Sequence, residues 1–167
     1  YCGAIKTELD GALGSYGAWL LEDYFDNPGF RGQNTTRVET MDSIAQLCYA
    51  KNLQLCVHSI GDKANRETLN VMEPYIRKKD NQDLRWRIEH SQHLHPNDIP
   101  RFAELGVIAS MQAIHCTSDA LFVEKRLGTQ RSQEGAYPWR SLLDAGAVVT
   151  NGTDAPVEDV DPIESFY

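Results

Sequence analysis

Apolar positions in this chain fall into short runs, with stretches of helical spacing between them. Leu53-Gln54-Leu55-Cys56-Val57 leads into His58, and Arg85-Trp86-Arg87-Ile88-Glu89 leads into His90. Ala147-Val148-Val149-Thr150-Asn151-Gly152-Thr153 leads into Asp154. Runs of this length bounded by polar residues read as strands. Gly3–Leu9 and Val107–Met111 read the same way, which makes five. A Gly-rich stretch runs from Asp10 to Gly32, and Thr36–Lys51 then predicts a helix from the recurrence of Val38, Met41, Ala45 and Cys48. Gly61–Lys79 predicts a second helix, with Ala64, Thr68, Val71, Met72, Tyr75 and Ile76 on one face despite Pro74. Pro96 is placed to open a short helix ending near Gly106. Ser118–Leu127 and Pro138–Ala145 predict two more.

Alternating strands and helices, with crossovers too long for hairpins, predict an α/β fold whose parallel sheet is buried on both faces. Five strands fit two architectures. One is part of a (β/α)8 barrel, and the other is an open doubly wound sheet. No internal repeat or low-complexity tract is present.

Composition narrows the partners. Of 167 residues, 41% are hydrophobic and 24% charged, values of ordinary globular proteins. A formal charge of −8 and a pI near 5.0 argue against nucleic acid or an anionic membrane surface. No apolar run approaches the length of a bilayer span. With no signal-peptide pattern, the expected compartment is the cytoplasm. Cys2, Cys48, Cys56 and Cys116 lack C-x-x-C spacing and read as free thiols of a reducing compartment, Cys56 in the core. The opening Tyr1-Cys2-Gly3 and the ending Phe166-Tyr167 read like cuts through something longer, so residues 1–167 are expected to be one incomplete domain.

Polar, metal-competent side chains at the exits of successive parallel strands are how a barrel assembles a site at one rim. Neutral imidazole and carboxylate are good ligands for zinc. On adjacent strands, the tips of His58 and His90 would lie within reach of one ion. Either histidine alone reads first as a hydrogen-bonded structural residue; the pair with Asp154 in Gly-Thr-Asp-Ala-Pro favours a site. His93 and His95 form an H-x-H in a loop leading into a helix, where loop or capping roles are expected. His115 sits just beyond another strand end and is a candidate substrate contact. Lys6, Glu8 and Asp10 would share one face of the first strand. Three inward charges demand pairing or a metal, unless that strand is an edge facing water. Asp62 reads as a cap of the following helix.

Five segments together resemble the amidohydrolase superfamily, in the branch of N-substituted formamide deformylase-like enzymes. They are Ile5-Lys6…Asp10-Gly11-Ala12-Leu13-Gly14-Ser15, His58-Ser59-Ile60-Gly61-Asp62-Lys63-Ala64-Asn65, Arg87-Ile88-Glu89-His90-Ser91-Gln92, Ser110-Met111-Gln112, and Gly152-Thr153-Asp154-Ala155-Pro156. Each motif is weak alone; five in order along nearly the whole chain are specific. The resemblance implies a partial TIM (β/α)8 barrel comprising strands four to eight with their helices, strands one to three being absent. It implies one or two divalent ions, with zinc expected. Lys6 would be carboxylated by CO2 to a bridging carbamate, and His58 and His90 would be ligands. Asp154 would be both a ligand and the general base on metal-activated water. Gln112, His115 and Tyr16 are the expected substrate contacts.

The family's H-x-H on its first barrel strand has no counterpart here, and His93-Leu94-His95 follows the wrong strand to replace it. Tyr16 stands where the family usually has Arg, Ala113 where Pro is common, and Thr153 where Ser is usual.

The expected activity is hydrolysis of a non-peptide carbon–nitrogen bond in a small amide or formamide, with the segment alone inactive. Unpaired strand edges would be covered by self-association or by a missing N-terminal segment. Two alternatives are a non-catalytic scaffold on a degenerate barrel and a phosphoester hydrolase, the latter depending on Arg126, Arg131 or Arg140.

Overall fold

A computed structural model describes residues 2–78 and 83–166. Five strands, β1 (Ala4–Glu8), β2 (Gln54–Ser59), β3 (Arg87–His90), β4 (Ile108–Met111) and β5 (Val149–Asn151), form one sheet in the order β1-β2-β3-β4-β5. All four neighbouring pairs are parallel. A doubly wound sheet reverses its strand order at a switch point; this sheet never does. Sequential order is the order of a barrel wall.

The helical layer agrees. Helices α1 (Val38–Lys51), α2 (Asp62–Arg77), α3 (Ile99–Leu105) and α7 (Trp139–Asp144) bury one continuous core against one face of the sheet. Met41, Ala45 and Cys48 of α1, Leu69 and Met72 of α2, and Phe102 of α3 meet Leu55, Val57, Ile88 and Ala109 of the strands. Those four strand residues and their lateral partners alternate with the row Glu8–His58–Glu89–Ser110–Thr150, which faces the other way. That second face is polar and only half-covered: Lys6 and Glu8 are exposed, and Arg87 pairs with Glu89 at 2.5 Å. Burial on both faces, expected from the alternation, is therefore corrected. The inner face of a barrel wall is covered by strands across the lumen, and five of the eight are here.

Pro74 sits inside α2 without ending it, and the expected terminus at Lys79 lies outside the described residues. The Pro96 helix begins as a 3-10 turn (Pro96–Asp98) before α3. The expected Ser118–Leu127 helix is divided into α4 (Ile114–Asp119) and α5 (Val123–Leu127). Phe122 leaves the helical conformation, and its ring packs on Gly14 within a second apolar cluster around Leu13, Leu20 and Tyr24. Gly128, at φ 77, closes α5, and α6 (Thr129–Gly135) follows, too polar to show apolar periodicity. No described helix is long and apolar enough to cross a membrane.

Asn65 fastens the rim. Buried on α2, its Nδ2 donates to Gly61 O at 2.9 Å, Ser59 O at 3.1 Å and His93 O at 3.3 Å, tying the exit of β2 to the exit of β3.

Candidate active site

Lys6, His58, His90, His115 and Asp154 line one cavity of about 460 Å³ at the strand exits, together with Glu8, Gln92, Asp119, Phe122 and Glu158. The rings of His58 and His90 lie edge to face with centroids 4.5 Å apart, and His115 is 5.9 Å beyond His90. His115 Nε2 stands 3.7 Å from Asp154 Oδ2.

The backbone takes unusual routes to place these groups. His90 (φ 75), Ser91 (φ 44) and Asp154 (φ 57) all occupy the left-handed region. A non-glycine residue there costs roughly 1–2 kcal/mol and persists only where its surroundings enforce it. Such residues concentrate at functional sites.

A polar residue stands behind His90 and another behind His58, but only His90 is hydrogen-bonded to it. His90 Nδ1 lies 2.7 Å from Gln112 Oε1, and the Gln112 amide donates to Ser110 O at 3.2 Å. With that amide oriented by Ser110, Nδ1 must be the donor, which leaves the Nε2 lone pair for the cavity. His58 Nε2 is buried without a hydrogen bond, 3.8 Å from Asp10 Oδ1. Its Nδ1 is the nitrogen left to the cavity. Burial first, then His90 and Lys6, push the His58 pKa down to about 3. Burial likewise lowers His90, against the opposing pull of Asp154. Both rings are thus neutral, the form that binds metals.

Asp10 lies past the end of β1, not on the strand face shared by Lys6 and Glu8. It is 1% exposed and accepts from Trp19 N (2.8 Å), Ile60 N (2.9 Å) and Gly61 N (2.8 Å). Burial nevertheless pushes its pKa up to about 7. The first strand is an edge, and Lys6 and Glu8 reach water along it. Asp62 is the first residue of α2 and accepts from Leu21 N and Lys63 N, each at 2.9 Å. It anchors the long loop instead of forming an N-cap, because Gly61 holds that position.

Two expected substrate contacts lie outside the cavity lining. Gln112 is committed behind His90, and Tyr16 (φ 60) donates to Asp26 at 3.1 Å under the Arg126 guanidinium. His95 caps the 3-10 turn, its Nδ1 accepting from Asn97 N at 3.1 Å, and His93 is wholly buried. The arginines a phosphate site would need are engaged elsewhere. Arg126 pairs with Asp26, Arg131 bonds backbone carbonyls, and Arg140 bonds Asp144 on the surface. Reading along the sequence missed Asp119 with its donors Gln92 and Tyr137, residues 27 and 18 positions away. No local pattern links them.

The amidohydrolase family model matches residues 1–167. The chain belongs to the amidohydrolase family. Protein LONG AFTER FAR-RED 3 of Arabidopsis thaliana is 38% identical over 166 residues, 99% of this amidohydrolase chain and 28% of its own length. Two solved structures, uncharacterized metal-dependent hydrolases of Pyrococcus furiosus and Pyrococcus horikoshii, are similar over 98% of the chain. Their TM-scores are 0.87 and 0.84 and their identities 29% and 27%. The amidohydrolase chain covers 33% and 32% of those two proteins, about a third of their length. Its sheet and helices are therefore part of a TIM-type barrel.

The donor set fits a divalent cation in kind. Two neutral imidazoles present a nitrogen to the cavity that Lys6 and Asp154 also line. Among the described residues, no three His, Cys, Asp or Glu side chains close on one point.

Proposed function

We propose that this chain is the catalytic part of a metal-dependent hydrolase that cleaves non-peptide carbon–nitrogen bonds in small amides or formamides, in the formamide deformylase-like branch. The observation that carries the reading is the pair of neutral histidines, His58 and His90, facing the cavity lined by Lys6 and Asp154. His58 through Nδ1, His90 through Nε2, Asp154, and Lys6 as its carbamate would hold the ion, for which zinc is proposed. When bound, the ion would supply Lewis acidity and water acidified to near neutral pH.

The chain's own groups supply the rest. Asp154 takes a proton from water and returns it to the leaving nitrogen. Gln112 keeps the His90 ring in one tautomer. His115, beside Asp154, orients substrate. The phosphoester alternative loses support because Arg126, Arg131 and Arg140 are all occupied away from the cavity. The open edge of β1 is proposed to accept a further segment of the same protein or a second copy.

Elemental analysis after zinc supply tests the reading. Near-stoichiometric metal in the wild type, lost in a His58→Ala/His90→Ala variant, is expected; no metal at saturating supply would overturn it in favour of a scaffold. Free-amine release from N-acyl and formamide compounds is expected to be absent for this chain alone. Robust turnover would refute that part.

A further inference from the structure

Asp119, at the end of α4, lines the same cavity and has no part in the chemistry above. Its Oδ2 accepts from the Tyr137 hydroxyl at 2.5 Å and from Gln92 Nε2 at 2.7 Å. Gln92 Nε2 also donates to the Tyr137 oxygen at 3.0 Å. These supports are firm. Gln92 is 4% exposed, and the Tyr137 ring packs edge-on to His93 and tilted against Trp139. Tyr137 N–H donates to Gln92 O at 2.7 Å, closing the pair on itself. The tyrosine hydroxyl stays protonated because burial and Asp119 both raise its pKa.

Two neutral donors thus hold one oxygen of Asp119 and leave its charge uncompensated. No cation pairs with Asp119 among the described residues. A carboxylate fixed from behind presents its remaining oxygen as a directed acceptor. Charge-assisted hydrogen bonds to such a group are about twice as strong as neutral ones. Phe122 and Val157 line the same cavity and offer apolar wall. The volume of about 460 Å³ falls within the range of sites for small organic molecules.

We propose that Asp119 is a specificity-determining residue that receives a protonated amine of the substrate, so that the site prefers amides carrying a second, cationic nitrogen beyond a short apolar spacer. This rests on the hydrolase reading for the amide, whereas binding of the ammonium end is separable from turnover.

Titration calorimetry of the protein as purified and after zinc supply tests it, using N-acetyl-1,4-diaminobutane, neutral N-butylacetamide and anionic N-acetylglycine. The cationic amide is expected to bind about tenfold more tightly than the neutral one, and the anionic one most weakly. Asp119→Asn and Asp119→Ser should abolish that preference. Tyr137→Phe, which keeps the ring and the charge but loses one donor, should reduce it. Urea midpoints verify folding, and two Asp119 variants guard against failure of one.

Equal binding of cationic and neutral probes by the wild type, or absence of binding by all three, would overturn the proposal. So would a preference that survives in both Asp119 variants, since Glu8, Asp154 or Glu158 would then be its source. Zinc content is followed in parallel. Charge preference without zinc uptake supports Asp119's role and sinks the metal-hydrolase reading; zinc uptake without charge preference does the reverse.

Discussion

Replacing His93 with Phe isolates the energetic cost of a buried base. The His93 ring is 2% exposed, its Nδ1 has no partner, and it packs edge-on to Tyr137 at 5.4 Å. Burial alone pushes its pKa down from 6.5 to about 3. The unfolded chain therefore binds a proton near pH 6.5 that the folded chain refuses until about pH 3. For a base with a depressed folded pKa, stability is full above 6.5 and falls as pH drops through that window. Near pH 5 the gap is about 1.5 pH units, and at about 1.4 kcal/mol per unit the loss is about 2 kcal/mol.

Phenylalanine has no proton to bind and a similar ring. His93→Phe should shift wild-type stability near pH 7.5 by a packing term of either sign, and near pH 5 it should gain about 2 kcal/mol on the wild type relative to that offset. His58 and His90, depressed for the same reason, titrate in both proteins and cancel in the difference. Urea unfolding at the two pH values measures it, provided the slope with denaturant is unchanged. A stability gap that does not move with pH would refute the reasoning.

Other substitutions address the rest of the framework. A Cβ at Gly61 would sit 2.1 Å from Trp19 O, which cannot yield without breaking the Asp10 anchor; Gly61→Ala should cost roughly 2–4 kcal/mol in urea unfolding. Gln112→Leu removes the acceptor behind His90 and should weaken zinc binding about 10- to 100-fold by calorimetry, with far-UV circular dichroism unchanged. Arg126→Leu strips Asp26 of its partner where both side chains are 14% exposed, so roughly 3 kcal/mol should be lost and proteolysis within 22–32 should accelerate.

The strands were legible because each apolar run is short and ends in a chemically conspicuous residue, as at Val57-His58 and Thr153-Asp154. Their mutual order was less so: it takes the pairing Glu89–Ser110, added to Glu8–His58 and His58–Glu89, to separate a barrel wall from a doubly wound sheet. The helices survived where the apolar stripe was dense, as on α2 across Pro74. They failed at Phe122, where a long-range contact to Gly14 overrides local spacing. His58, His90, His115 and Asp154 could be named from strand ends, because strand ends converge at one rim; Lys6, inside β1, was named through the resemblance. Gln112, Tyr16 and Asp10 could be named but not placed. Where a polar side chain spends its hydrogen bonds depends on partners such as Ser110, Asp26 and Trp19, which no spacing rule brings near.

The left-handed backbone at His90 and Asp154 also limits how this rim can be re-engineered. Among uncharged replacements, asparagine and glycine tolerate that geometry best, and valine, isoleucine or threonine would add steric conflict to whatever chemistry they bring. A saturation library at position 90 should therefore return Asp, Asn and Gly among its soluble members far more often than β-branched residues. A swap from imidazole to carboxylate at position 90 is accordingly among the changes this turn accepts.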